Sequence, residues 1–71
     1  MTSVEMNLRF TYHLPTREQI LAYDVIRTTA KSLACAIDAT CPDSREKSLA
    51  ITKLEEAMMW ANAAIARRTE N

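Results

Sequence analysis

The chain has 71 residues, which allows one domain at most and leaves little material for a self-sufficient hydrophobic core. Hydrophobic residues make up 48% and charged residues 25%, with two prolines and no glycine. The missing glycine argues against sheets joined by tight turns and against glycine-rich phosphate loops. Nine basic side chains balance nine acidic ones, so no net field recruits DNA, RNA or an anionic membrane, and any bound anion must be met by a local pocket.

Residues 1–15 read as an arm. Leu8, Phe10, Tyr12 and Leu14 alternate with Arg9, Thr11 and His13, the pattern of an extended segment with one apolar side. It is too short to build a sheet, so it is expected to lie across helices. Glu5 and the lack of a basic or apolar stretch in Met1 to Asn7 give no expectation of a signal peptide. The most apolar run, Ala57 to Ala66, is interrupted by Asn62 and too short to span a bilayer.

A first long helix is predicted from Thr16 to about Thr40. Thr16 and Gln19 fit a capping box, and Pro15 suits a helix entrance. The apolar residues Ile20, Tyr23, Ile26, Ala30, Leu33, Ile37 and Cys41 then step by three or four, forming one stripe. Pro42 ends the helix. Asp43 and Glu46 make a second capping-box pattern with Ser44 as the rival cap, opening a helix from about residue 44 to 68. Its residues Ile51, Leu54, Met58, Ala61 and Ile65 repeat as a heptad-like seam. So short a linker makes the helices antiparallel neighbours, an all-α hairpin. Further apolar residues (Ala50, Ala57, Trp60 and Ala64 on the second helix, Leu21 and Val25 on the first) lie off the seam. Two helices cannot bury them all, so the surplus predicts a homo-oligomer.

Enzymatic chemistry finds little support. Glu55 and Glu56 are adjacent on a helix and diverge, and a pairing of Cys35 or Cys41 with His13 lacks an orienting group. The cysteines lie six residues apart on one helix and do not face each other. They read as small buried hydrophobes in a reducing cytosol, and one histidine gives no zinc-ligand set. No metal or cofactor is expected. Cations are more informative. Arg27 and Lys31 share a face one turn apart, with Tyr23 before them and Thr28 and Thr29 beside them, and Arg67 and Arg68 close the second helix. Each has a plain reading: Asp24 as local partner for Arg27, and charge complementing the helix C-terminus for the arginine pair. Tyr12 is either a buried anchor or a platform on which a base stacks, worth about 1–3 kcal/mol.

One stretch goes further. Cys41-Pro42-Asp43-Ser44-Arg45-Glu46, followed by Leu54-Glu55-Glu56 and by Trp60-Ala61-Asn62-Ala63-Ala64-Ile65-Ala66-Arg67, closely resembles the hairpin domain of phage-encoded cyclic-nucleotide sponges. These are the anti-CBASS sponges and the related anti-Thoeris sponges. Phe10-Thr11-Tyr12-His13 ahead of a proline-started helix resembles the family's entrance, so the resemblance runs from about Phe10 to Arg68 and fits the shorter, hairpin-only anti-CBASS type.

The resemblance implies a homohexamer, a trimer of dimers, in the cytoplasm of an infected bacterium. It would sequester cyclic dinucleotides, and cyclic trinucleotides in separate pockets, without cleaving them. It also implies that Tyr12 stacks on a base and that Arg27 meets phosphate, with Lys31 one turn on. Thr28 or Thr29, together with Arg67 or Arg68, would serve the trinucleotide pocket. The alternative is a small helical adaptor that inhibits a host protein through its apolar stripe.

Overall fold

A computed structural model describes residues 2–12 and 14–68. Three helices follow in chain order: α1 (Ser3–Phe10), α2 (Arg17–Thr40) and α3 (Arg45–Arg68), and the described residues contain no strand.

Helix α1 corrects the extended reading of the arm. Thr2 caps it, its hydroxyl accepting from Glu5 N at 3.2 Å and its carbonyl from Met6 N at 3.0 Å. Glu5 in the first turn and Arg9 in the last suit the helix dipole. The alternation begins only at Leu8, too late to outweigh these signals, and the chain turns extended only at Thr11, with φ −104° and ψ 129°. Pro15 keeps the approach to α2 non-helical. Eight residues do not sustain an isolated helix. A tie to α3 holds this one: Arg68 Nη2 donates to Glu5 Oε1 at 3.0 Å and Oε2 at 3.2 Å.

Helix α2 opens on a reciprocal cap. Thr16 Oγ1 accepts from Gln19 N at 3.1 Å, and Gln19 Oε1 accepts from Thr16 N at 2.9 Å. Gln19 Nε2 also donates to Ile65 O at 3.1 Å, joining the start of α2 to the last turns of α3. The helix stops at Cys41, whose backbone is extended because Pro42 follows.

At the turn, Ser44 rather than Asp43 is the cap. Its hydroxyl accepts from Lys47 N at 3.1 Å, while Asp43 Oδ1 takes the Lys47 ammonium at 2.9 Å. Lys47 also donates to Asp38 O at 2.9 Å and pairs with Asp38 Oδ1 at 3.0 Å. One side chain, only 13% exposed, thus satisfies a carbonyl in the last turn of α2 and spans the linker. The hydrogen bond from Lys47 holds the Asp43 carboxyl below its usual value, and bonds to Asp43 and then Asp38 hold the Lys47 ammonium above its own.

Gln19 beside Ile65 at one end and Asp38 beside Lys47 at the other show that α2 and α3 run antiparallel. Ile51, Leu54, Met58, Ala61 and Ile65 are half-buried along the seam, facing Tyr23, Ile26, Ala30 and Ile37. Ile20, Leu33 and Cys41 lie outside it and are exposed, so the α2 stripe read from the sequence is wider than the face α3 covers. Cys35 is exposed as well, because neither thiol points at α3.

No hydrophobic side chain among the described residues is buried; the one buried residue is Gln19, at 8% exposure. The surface measures 5924 Å², and the mass is 8.0 kDa. A compact monomer of that mass exposes about 4,500 Å², so the surplus is about 1,400 Å². The radius of gyration, 15.3 Å, exceeds the roughly 11 Å of a compact chain of this length. The molecule is a slab of 46 × 29 × 14 Å, one helix layer thick, with Phe10, Leu14, Val25, Met59 and Trp60 facing outward.

Candidate ligand-binding grooves

Two open grooves carry Tyr12, Tyr23, Arg27 and Lys31, and a neighbouring one of about 260 Å³ sets Arg9, Arg67 and Arg68 beside Trp60. The first lies at the end of the hairpin where α1, the start of α2 and the end of α3 meet. Tyr12, Tyr23 and Thr11 line it with Arg9 and Arg67, and it holds about 370 Å³. Tyr12 is 81% exposed, which removes the buried-anchor reading in the single chain and leaves a ring face open to a planar partner. Among the described residues, no acidic side chain lines this groove. Neither arginine has a hydrogen bond or ion pair to another described residue.

The second groove lies further along the hairpin, where Arg27 and Lys31 stand above Ile51, Leu54 and Met58 in a space of about 300 Å³. Arg27 is paired with Asp24 on the exposed helix face, the local partner expected from the sequence. Glu55 lines the same groove, so its net charge is lower than the two cations alone would give. Exposed pairs of this kind contribute about 0–1 kcal/mol and yield to a stronger anion.

The chain therefore brings Tyr12 together with Arg67, and Arg27 together with Lys31, but keeps the two sets in separate grooves. Thr29 lines a further, apolar groove of about 220 Å³ with Ile26 and Ala61, and Thr28 is exposed beside it. Arg67 and Arg68 are not equivalent. Arg68 is engaged by Glu5, and Arg67 lines the groove of Tyr12, although both also line the groove beside Trp60. His13, and with it the pairing of that residue with a thiol, lies outside the described residues. Among the described residues, no group of three His, Cys, Asp or Glu side chains could hold a metal ion, and no helix is long and apolar enough to cross a membrane.

Sequence reasoning passed over two of the residues that line the first groove. The alternation puts Arg9 on the polar side of an extended arm, and the helical spacing puts Tyr23 on the interhelical stripe. The signal for Arg9 was present: Thr2 and Glu5 have capping-box spacing, and reading α1 from it turns Leu8 and Arg9 toward the hairpin.

The family model described as "Acb2/Tad1, hairpin domain" matches residues 4–66. The chain belongs to the Acb2/Tad1 hairpin family. This is the family of anti-CBASS and anti-Thoeris sponges, phage anti-defence proteins that bind cyclic nucleotides rather than act as enzymes. The Acb2/Tad1 match takes in nearly all of α1, well before Phe10, and ends just short of Arg67. No curated protein and no solved structure matches the chain.

Proposed function

We propose that this protein sequesters cyclic oligonucleotide messengers of CBASS-type defence, cyclic dinucleotides and also cyclic trinucleotides, and returns them chemically intact. It acts in the cytoplasm of the infected bacterium by lowering the free messenger below the level its effector needs. The observation that carries this reading is the groove in which the open face of Tyr12 sits with Arg67, lined by no acid and with no partner for that arginine among the described residues. A base stacks on the ring, and a phosphodiester meets the guanidinium, whose fork donates to two phosphate oxygens.

The working unit is a homohexamer built as a trimer of dimers. A surface surplus of about 1,400 Å² is close to what one partner buries in two standard interfaces, each taking about 800 Å² per side. The enclosed, unsatisfied Asn62 Oδ1 fits the same view, because a donor from a second copy would relieve a penalty of about 1–3 kcal/mol. Assembly would also carry the Arg27 and Lys31 groove of one copy toward the Tyr12 groove of another, uniting residues that a single chain separates. Thr28 or Thr29 with Arg67 or Arg68 would form the trinucleotide pocket on the same principle.

Calorimetry against a panel of cyclic di- and trinucleotides tests the proposal, with recovery of the ligand after denaturation. Tight binding and intact ligand are expected. No binding to any member at high micromolar concentration overturns it, and linear hydrolysis products overturn the sequestration mechanism.

A further inference from the structure

Arg9 is the one cation of the first groove that neither the sequence pattern nor the family resemblance assigns. On an isolated α1 its natural partner would be Glu5, four residues earlier on the same face. In the chain Glu5 is taken instead: Arg68 Nη2 donates to both of its carboxylate oxygens, at 3.0 Å and 3.2 Å. The pair does two things at once. It ties α1 to the end of α3, and it removes the acid that would otherwise neutralise Arg9. Arg9 is left without a partner among the described residues, lining the groove that holds Tyr12, Tyr23 and Arg67. A cyclic dinucleotide carries two phosphodiester charges, and Arg67 alone meets one.

We infer that Arg9 is a phosphate-contacting residue of the Tyr12 groove, and that the Glu5–Arg68 pair is the positioning device that presents it there free of Glu5. This rests on the Tyr12 groove being the ligand site. Helix α1 is then a ligand-bearing element rather than a passive lead-in, and its charge sets a preference for ligands with two phosphates over those with one. Arg67 and Arg9 stand on different helices and line one groove, so a single ligand with two phosphates can meet both. A mononucleotide engages only one of them.

The test uses charge reversal and rescue in the full-length protein. Arg9→Ala should weaken binding of a cyclic dinucleotide by about tenfold or more, as loss of a charge-assisted bond does, and weaken a mononucleotide much less. Glu5→Arg and Arg68→Glu should each weaken binding by a few-fold. The double variant Glu5→Arg with Arg68→Glu should recover most of the loss, which a ligand contact made by Arg68 itself would not allow. Equal affinity of Arg9→Ala and the parent overturns the contact, and failure of the double variant to recover overturns the positioning role. Proton–nitrogen spectra of the arginine Nε–H groups during titration with inorganic pyrophosphate separate the two levels of the argument. If cyclic nucleotides do not bind but pyrophosphate shifts both Arg9 and Arg67, the messenger reading falls and the anion subsite stands. If pyrophosphate shifts neither, the subsite falls as well.

Discussion

Gln19 should contribute more to the hairpin than any other side chain at its open end. Both ends of its amide are used: Oε1 closes the cap on Thr16 N at 2.9 Å, and Nε2 crosses to Ile65 O at 3.1 Å. Gln19→Ala removes the side-chain half of the reciprocal cap, at about 1 kcal/mol, and the interhelical bond, at about 1 kcal/mol more, so roughly 2 kcal/mol per chain is expected. Thr16→Ala removes only the hydroxyl half of the cap and should cost about 1 kcal/mol. Gln19→Glu keeps an acceptor for Thr16 N but sets a carboxylate against the Ile65 carbonyl. Its loss should shrink as the pH is lowered and protonation restores a donor. The assay is urea unfolding followed by helical circular dichroism, at one fixed chain concentration because association shifts apparent stability. If Gln19→Ala costs no more than Thr16→Ala, the bond to Ile65 contributes nothing and the latch is an idle contact.

Three further outcomes follow. Lys47→Met should loosen the hairpin turn at neutral pH and flatten its pH dependence. Asp43 is held below 3.8, so its contribution is complete above that value and is lost as the pH falls through its lowered folded value. Lys47 is held above 10.5, so its contribution is complete below that value and is lost as the pH rises through its folded value. Acid and alkaline melting scans of parent and variant check both limbs. Tyr12→Ala should weaken cyclic dinucleotide binding by about tenfold, the low end of a base–aromatic stack, without changing the assembly seen by sedimentation. Arg67→Ala should weaken the same ligand more than Arg27→Asn does if the groove of one chain supplies the first phosphate contact; calorimetry on the two variants ranks them.

The α2–α3 hairpin was legible because its signals are local and redundant. The Thr16–Gln19 box, Pro42 and the heptad from Ile51 to Ile65 each mark a boundary or a face without help from the rest of the fold. Helix α1 was not, because at eight residues its capping signal competes with the alternation from Leu8 to Leu14. Asp43 and Ser44 are both good caps in sequence. The choice is made by Lys47, whose ammonium claims the Asp43 carboxylate and leaves the helix amide to Ser44. The second bond of Gln19 and the Glu5–Arg68 tie join residues 46 and 63 positions apart, beyond the reach of any local pattern. The candidate site divides in the same way. Tyr12 and the arginines were visible as residue types, but the grouping of Tyr12 with Arg67 and Arg9 depends on where α1 lies. The distinction between Arg67 and Arg68 depends on Glu5.

Native mass spectrometry of the full-length protein, diluted to nanomolar concentration with a cyclic dinucleotide present, probes the central claim most directly. Six chains of 8.0 kDa holding whole, uncleaved ligand are expected. A folded single chain that persists on dilution and carries no nucleotide would contradict it.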